Sequence, residues 1–237
     1  MKSEPLSKIV QAARERKLFQ RERIPLEVKA KAILEYFNGA SFRKIAQSHG
    51  HQFSAESVRN WWRRMSILFN YPVGKHAIIV ADETTLHRGK RVRYVERLRA
   101  KGRWKKPKFE WERRTYPPTH LLWVSLNPHT WQIVNIKVST KHTNEDCYDF
   151  LCTTKLRAGT TPKILHDRAP WYVSQPGRVG LEHETVRGGL RSRIECWNRQ
   201  LKHRLDRFWR AFPWNTSSDA LDIWMRAYSA LWNLTRP

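Results

Sequence analysis

The chain is short of cysteine, of acids and of long apolar runs. Cys147, Cys152 and Cys196 are its three cysteines. An odd count, with no CxxC or Cys/His pattern at zinc spacing, excludes a disulfide framework and a zinc module and points to reduced thiols in the cytoplasm. The ten His include no HExxH-type pair, so any chemistry must rest on carboxylates. No apolar stretch approaches the roughly 20 residues of a membrane-spanning helix. Residues 1–23 are charged throughout, unlike a signal peptide. Acids number 21 against 45 Lys and Arg, a net charge of +24. Such an excess opposes compaction by self-repulsion unless a polyanion neutralises it. Nucleic acid is therefore the first partner to consider, and an anionic membrane a weak second.

What is present is a patterned chain with 40% hydrophobic residues and 12 Trp, enough for a sizeable core. Ala77-Ile78-Ile79-Val80-Ala81 is an apolar run with three β-branched residues. It reads as a buried central strand that delivers Asp82 to its end. On its own such an Asp is more often a turn or capping residue than a metal ligand. Pro162 to His166 is a second short strand, and it ends in Asp167 in the same way. Between them, residues 120–126 and 131–138 read as a hairpin turning at Asn127-Pro128-His129. Thr143 caps a helix to about Leu156, with Tyr148, Leu151 and Cys152 on its buried side. Residues 173–189, rich in Gly, Pro and His, read as a mobile loop. Two helices close the chain. The first, residues 191–208, carries an apolar stripe of Ile194, Trp197, Leu201, Leu205 and Phe208. Glu195 lies at its edge beside Arg191, Asn198, Arg199 and Lys202, and the plain reading of Glu195 is an i,i+4 pair with Arg191 or Arg199. The second spans residues 219–234, with Leu221, Trp224, Met225, Tyr228 and Leu231 inward.

Upstream, residues 1–24 form a basic arm or a loosely packed helix. Residues 25–69 hold three helices: one begun by Pro25, one capped by Ser41 and closed at Gly50, and one capped by Ser54 with Val58, Trp61, Trp62 and Met65 inward. The spacing of Ala46, Gly50 and the third helix predicts a helix-turn-helix. Arg59, Asn60, Arg63 and Arg64 fall on its polar side, and Arg and Asn suit the edges of guanine and adenine in the major groove. A three-helix bundle with a solvated basic face is the plainer alternative. Residues 70–74 read as a linker, and residues 75–237 as a mixed sheet with helices on its faces. Inserted at 88–118 is a segment with 13 Lys or Arg against 3 Glu. Lys105, Lys106 and the interleaved Tyr94, Trp104, Phe109, Trp111 and Tyr116 suit phosphates and unpaired bases.

Asp82, Asp167 and Glu195, from two strand ends and a helix, can converge on one point. Phosphodiester cleavage and strand transfer need such a set, because two Mg²⁺ ions (or Mn²⁺) held by oxygen ligands can serve both the attacking and the leaving oxygen. At this stage the motifs resemble a known family. Asp82-Glu83-Thr84 after an apolar strand, Asp167-Arg168-Ala169-Pro170-Trp171-Tyr172, and Ile194-Glu195 with Lys202 seven residues on are similar to the DDE transposases of prokaryotic insertion sequences, and to insertion-sequence family six in particular. Residues 53–61 are similar to the recognition helix that precedes the catalytic domain in that family.

The resemblance implies an α/β fold, a ribonuclease H-like mixed sheet with flanking helices preceded by an all-α helix-turn-helix domain. It implies Asp82, Asp167 and Glu195 as the metal-binding triad, with Lys202 contacting DNA near the cleaved bond. The implied partners are double-stranded DNA, both terminal inverted repeats and target, and a homodimer or larger assembly, in a nucleoid-associated prokaryotic protein. Asp167 and Glu195 stand 28 positions apart, closer than is usual in the family, and Glu184 is the alternative third acid. Asn198 stands where the family often has His. A catalytically inactive DNA-binding derivative, a structure-specific nuclease of the same fold and a basic RNA-binding protein are the competing readings.

Overall fold

The computed structural model describes residues 4–20, 23–72, 74–86, 120–206 and 216–236. The basic insertion, with Lys105 and Lys106, lies outside the described residues, as does Phe208. Among the described residues the chain forms a five-stranded sheet in the order β3-β2-β1-β4-β5. The strands are β1 (Ile78–Leu86), β2 (His120–Leu126), β3 (Ile133–Ser139), β4 (Lys163–His166) and β5 (His183–Thr185). β1 pairs antiparallel with β2 and β2 with β3, while β1–β4 and β4–β5 are parallel. An antiparallel hairpin on one side of a central strand and parallel strands on the other, with helices on both faces, is the ribonuclease H-like arrangement.

Among the described residues the α-helices are α1 (Glu4–Glu15), α2 (Leu26–Phe37), α3 (Phe42–Ser48), α4 (Ala55–Met65), α5 (Asn144–Arg157), α6 (Gln175–Val179), α7 (Ser192–Asp206) and α8 (Ser218–Thr235). Four begin on a hydroxyl that accepts a backbone N–H three residues on: Ser41 from Lys44, Ser54 from Ser57, Thr143 from Asp146 and Ser217 from Ala220. Each such cap satisfies a donor that the first turn leaves orphaned.

Alternation along β1 divides the core in two. Val80 belongs to a cluster with Leu122, Val124, Leu165, Ile194, Trp197, Leu201 and the apolar residues of α8. Ile79 and Ala81 belong to another, with Trp123, Phe150, Leu151 and Tyr172. A strand buried on both faces reads as a continuous apolar run, which is how β1 reads. The larger cluster runs on without a break into Ile9, Val10 and Ala13 of α1, Ile33 and Tyr36 of α2, and Val58, Trp62 and Met65 of α4. Polar contacts cross the same boundary. Trp224 Nε1 donates to Tyr36 Oη at 3.0 Å, and Arg204 Nε donates to the Phe37 carbonyl at the end of α2 at 3.0 Å. The stretch read as a linker starts from a 3-10 turn, Ser66–Asn70, that buries Phe69.

Three expectations need correction. β1 does not end at Asp82: it runs on to Leu86, held by its antiparallel pairing with β2, so Asp82 lies in mid-strand. Residues 173–189 are not a loop throughout. They hold α6, a left-handed Gly180 and the edge strand β5. All three β5 residues are exposed, so no apolar alternation marks the strand in the sequence. On α5 the buried residues are Cys147, Phe150, Leu151 and Thr154, while Tyr148 and Cys152 are only half-buried. The helix meets the sheet along a partly polar seam, where Asn135 Nδ2 donates to the Phe150 carbonyl at 3.1 Å and to Thr154 Oγ1 at 3.2 Å. A search for the most apolar stripe therefore picks the wrong rotation.

Candidate active site

β1 and β4 run in parallel register, with Ile78 beside Lys163, Ile79 beside Ile164 and Val80 beside Leu165. Two residues further along each chain come Asp82 and Asp167. Side chains alternate along a strand, so Asp82 shares the face of Val80 and Glu83 takes the other. Asp167 leaves the end of β4 in a tight turn, its Oδ1 accepting the Ala169 N–H at 2.9 Å. That Asx turn fixes the carboxylate at the strand end.

Glu195 arrives from α7. Ile194, Trp197 and Leu201 are fully buried against the sheet. Burying each such side chain is worth roughly 1.5–3 kcal/mol, against about 0.3–0.5 kcal/mol for an exposed i,i+4 ion pair. The apolar stripe, not the charges, sets where α7 lies. It brings the adjoining polar face, with Glu195, Asn198, Arg199 and Lys202, over the middle of β1 and the end of β4.

The three acids meet at one guanidinium. Arg191 Nη2 lies 3.3 Å from Asp82 Oδ1 and 3.5 Å from Asp167 Oδ2, and its Nη1 lies 2.6 Å from Glu195 Oε1. The Arg191 side chain is 17% exposed. It closes a 3-10 turn, Gly189–Arg191, that opens on Gly189 at φ +63°. A left-handed residue there is cheap only for glycine. The other oxygen of Asp82, Oδ2, accepts from Asn198 Nδ2 at 2.9 Å. Asn198 is itself buried, and among the described residues its Oδ1 has no hydrogen-bond partner, nor has Arg191 Nε. Around these groups is an open cleft of about 460 Å³, lined by Asp82, Glu83, Thr84, Asp167, Arg191, Glu195, Asn198, Arg199 and Lys202. Arg199 and Lys202 are exposed at it.

Electrostatics follow from this crowding. Burial pushes the Asp82 carboxyl up to about 6; Arg191 opposes the shift, and the charges of Asp167 and Glu195 add to it. Burial alone would lower the pKa of Arg191, but the carboxylates of Asp82, Glu195 and Asp167 carry it above its ordinary value. On the opposite face Glu83 rises to about 7 through burial and the neighbouring Asp82 charge. Its Oε2 accepts from Trp171 Nε1 at 3.2 Å.

The structure thus gathers Asp82, Asp167, Glu195, Arg199 and Lys202 at one cleft. Glu184, the alternative third acid, does not line it and is paired with Lys163 at 3.0 Å. Among the described residues no group of three His, Cys, Asp or Glu is disposed to hold a metal ion. In kind the donors suit a hard cation, since all are carboxylate oxygens. In placement, a guanidinium stands between them. On α4 the side chains of Arg59, Asn60, Arg63 and Arg64 are exposed. Arg59 pairs with Glu56 at 2.8 Å, and Arg64 Nη1 is tied to the Leu18 carbonyl at 3.1 Å.

Sequence reasoning paired Arg191 with Glu195 and missed its reach to both Asp residues. It also left Asn198 without a partner. The available signal was the spacing of residues 191, 195, 198, 199 and 202, which repeats at three, four and seven and so marks one helical face.

No family model matches the chain. An uncharacterized protein of Methanocaldococcus jannaschii is 28% identical over 222 residues, 92% of this chain and 91% of that protein. Among solved structures, a chain of the simian T-cell lymphotropic virus intasome superposes with a TM-score of 0.43 at 15% identity, covering 85% of this chain and 66% of that one. The Mos1 mariner paired-end complex with Mn gives a TM-score of 0.35 at 10% identity, covering 90% and 77%. No described helix is long and apolar enough to cross a membrane.

Proposed function

We propose that this protein is a transposase-like polynucleotidyl transferase that cuts and joins DNA with divalent cations. One observation carries the reading: Asp82 from the middle of β1, Asp167 from the end of β4 and Glu195 from a helix surround a single point in a cleft edged by Arg199 and Lys202. Oxygen-only donors favour Mg²⁺ or Mn²⁺, and Asp82, Asp167 and Glu195 are the residues that would hold two ions. The chemistry such ions supply is polarisation of the phosphodiester and stabilisation of the attacking and leaving oxygens.

The chain's own groups do the rest. Asp82 sits on the rigid central strand, and Asn198 holds one of its oxygens in place. Arg199 and Lys202 are placed to neutralise phosphates of the DNA entering the cleft. The exposed Arg59, Asn60, Arg63 and Arg64 on α4 would read double-stranded DNA as the second helix of a helix-turn-helix, with the terminal inverted repeats of an insertion sequence of family six as the matching substrate. Cutting two ends together calls for a homodimer or larger assembly, in the nucleoid.

Purified protein, incubated with Mg²⁺ or Mn²⁺ and DNA carrying the flanking inverted repeats, is expected to nick at the repeat ends and join the resulting 3′-OH to target DNA. One feature favours a second reading, a DNA-binding derivative that has lost catalysis: Arg191 stands where cations would sit. Well-folded protein that binds the ends yet never nicks them would establish that second reading and reject the first.

A further inference from the structure

We infer that Arg191 is a built-in counter-cation: it holds the three acids together in the cation-free protein and must withdraw before a divalent cation binds there. The inference rests on reading the acids as a cation site.

Its basis is geometric. One guanidinium reaches carboxylates from three separate elements, and two of them, on Asp82 and Asp167, share the same nitrogen within 3.5 Å. A structural ion pair needs one partner, and Glu195, one turn along and 2.6 Å away, would have sufficed. The extra reach places a positive charge at the point where three ionised carboxylates would otherwise repel one another. A single positive charge leaves two of the three negative charges uncompensated, so the cluster still attracts a divalent ion. A guanidinium and such an ion cannot share the space, and like charges at contact distance repel strongly.

The connection to α7 permits withdrawal. Arg191 belongs to no strand and precedes α7. Its turn is preceded by Gly188 and begins at Gly189, and no atom of the described residues, beyond the chain neighbours, lies within 4 Å of where a Cβ would stand on either. Its Nε makes no hydrogen bond among the described residues, so only the ion pairs hold the side chain inward. Withdrawn, the guanidinium joins Arg199 and Lys202 on the same cleft, where an entering phosphate would receive it. Cation entry and phosphate binding would thereby be linked through one side chain.

The test is Mn²⁺ binding to the full chain without DNA, followed by the paramagnetic signal of free Mn²⁺. The wild type, Arg191→Gln, Arg191→Lys and Asp82→Asn are compared, and melting of each is recorded with and without the ion. Arg191→Gln is expected to bind Mn²⁺ at least roughly tenfold more tightly than wild type, since displacement of the resident charge no longer opposes binding. Without the ion it should melt below wild type, because its acids lack a counter-charge. Arg191→Lys keeps the charge but reaches fewer carboxylates, and is expected to fall between the two. It also serves if the Gln variant does not fold. Equal or weaker Mn²⁺ binding by the Arg191 variants, with binding lost in Asp82→Asn, would overturn the inference while leaving the cation site standing. Absence of Mn²⁺ binding in every chain, Arg191→Gln included, would reject the site and the inference together.

Discussion

Asp82 and Glu83 are consecutive residues of one strand, both acids and both shifted upward by burial, yet they inhabit different worlds. Asp82 faces a cleft where an arginine, an asparagine and two further carboxylates surround it. Glu83 faces aromatic core and accepts one hydrogen bond from Trp171, whose ring stacks on His142 at 4.4 Å. Trp123 and Tyr172 pack in the same cluster. A raised carboxyl pKa therefore does not mark the site, because desolvation acts on both faces alike. What distinguishes Asp82 is its company: two convergent carboxylates and a cation between them.

Breaking the comparison at Asp82 should have the largest effect. Asp82→Asn, Asp167→Asn or Glu195→Gln is expected to lower DNA cleavage by roughly a thousandfold or more, as loss of a charge-stabilising group does. Binding of end DNA, measured by fluorescence anisotropy, should survive. Normal joining by any of the three would refute the triad.

The dry face answers to stability instead. Trp123 is fully buried, and its Nε1 donates to Ser139 Oγ at 2.9 Å. Trp123→Ala should cost about 3–5 kcal/mol in urea unfolding. Glu83 supplies the pH test. Its folded-state pKa of about 7 lies above its ordinary 4.5. Between those values the folded state binds more proton than the unfolded, so stability falls as pH rises from about 4.5 to 7. Glu83→Gln removes that loss. It should match wild type near pH 4 and exceed it by about 3 kcal/mol at pH 8, and it should leave cleavage largely intact. A Glu83→Gln variant as dead as Asp82→Asn would erase the distinction between the faces. The smallest effect is expected on α4, where Arg63→Ala should weaken DNA binding about five- to tenfold and reduce the slope of affinity against salt by about one.

Much of this architecture was legible, for identifiable reasons. The run from Ala77 to Ala81 marked β1 because a strand buried on both faces tolerates only apolar residues. Ser41, Ser54 and Thr143 marked helix starts because a hydroxyl there answers an orphaned N–H. The α7 stripe placed Ile194, Trp197, Leu201 and Leu205 inward, where they are buried. Other features left no local trace. β5 is an exposed edge strand whose pairing with β4 is purely backbone. The α5 seam uses Thr154 and Asn135, which periodicity counts as solvent-facing. Arg191 was visible as a partner of Glu195 alone, since its contacts with Asp82 and Asp167 span 109 and 24 positions and exist only after β1, β4 and α7 have packed.

Anomalous diffraction from crystals soaked in Mn²⁺ addresses the cation site most directly. Density is expected in coordination contact with Asp82, Asp167 and Glu195, with the Arg191 side chain turned away from all three. Crystals that take up Mn²⁺ elsewhere, while Arg191 still grips the three carboxylates, would contradict the account.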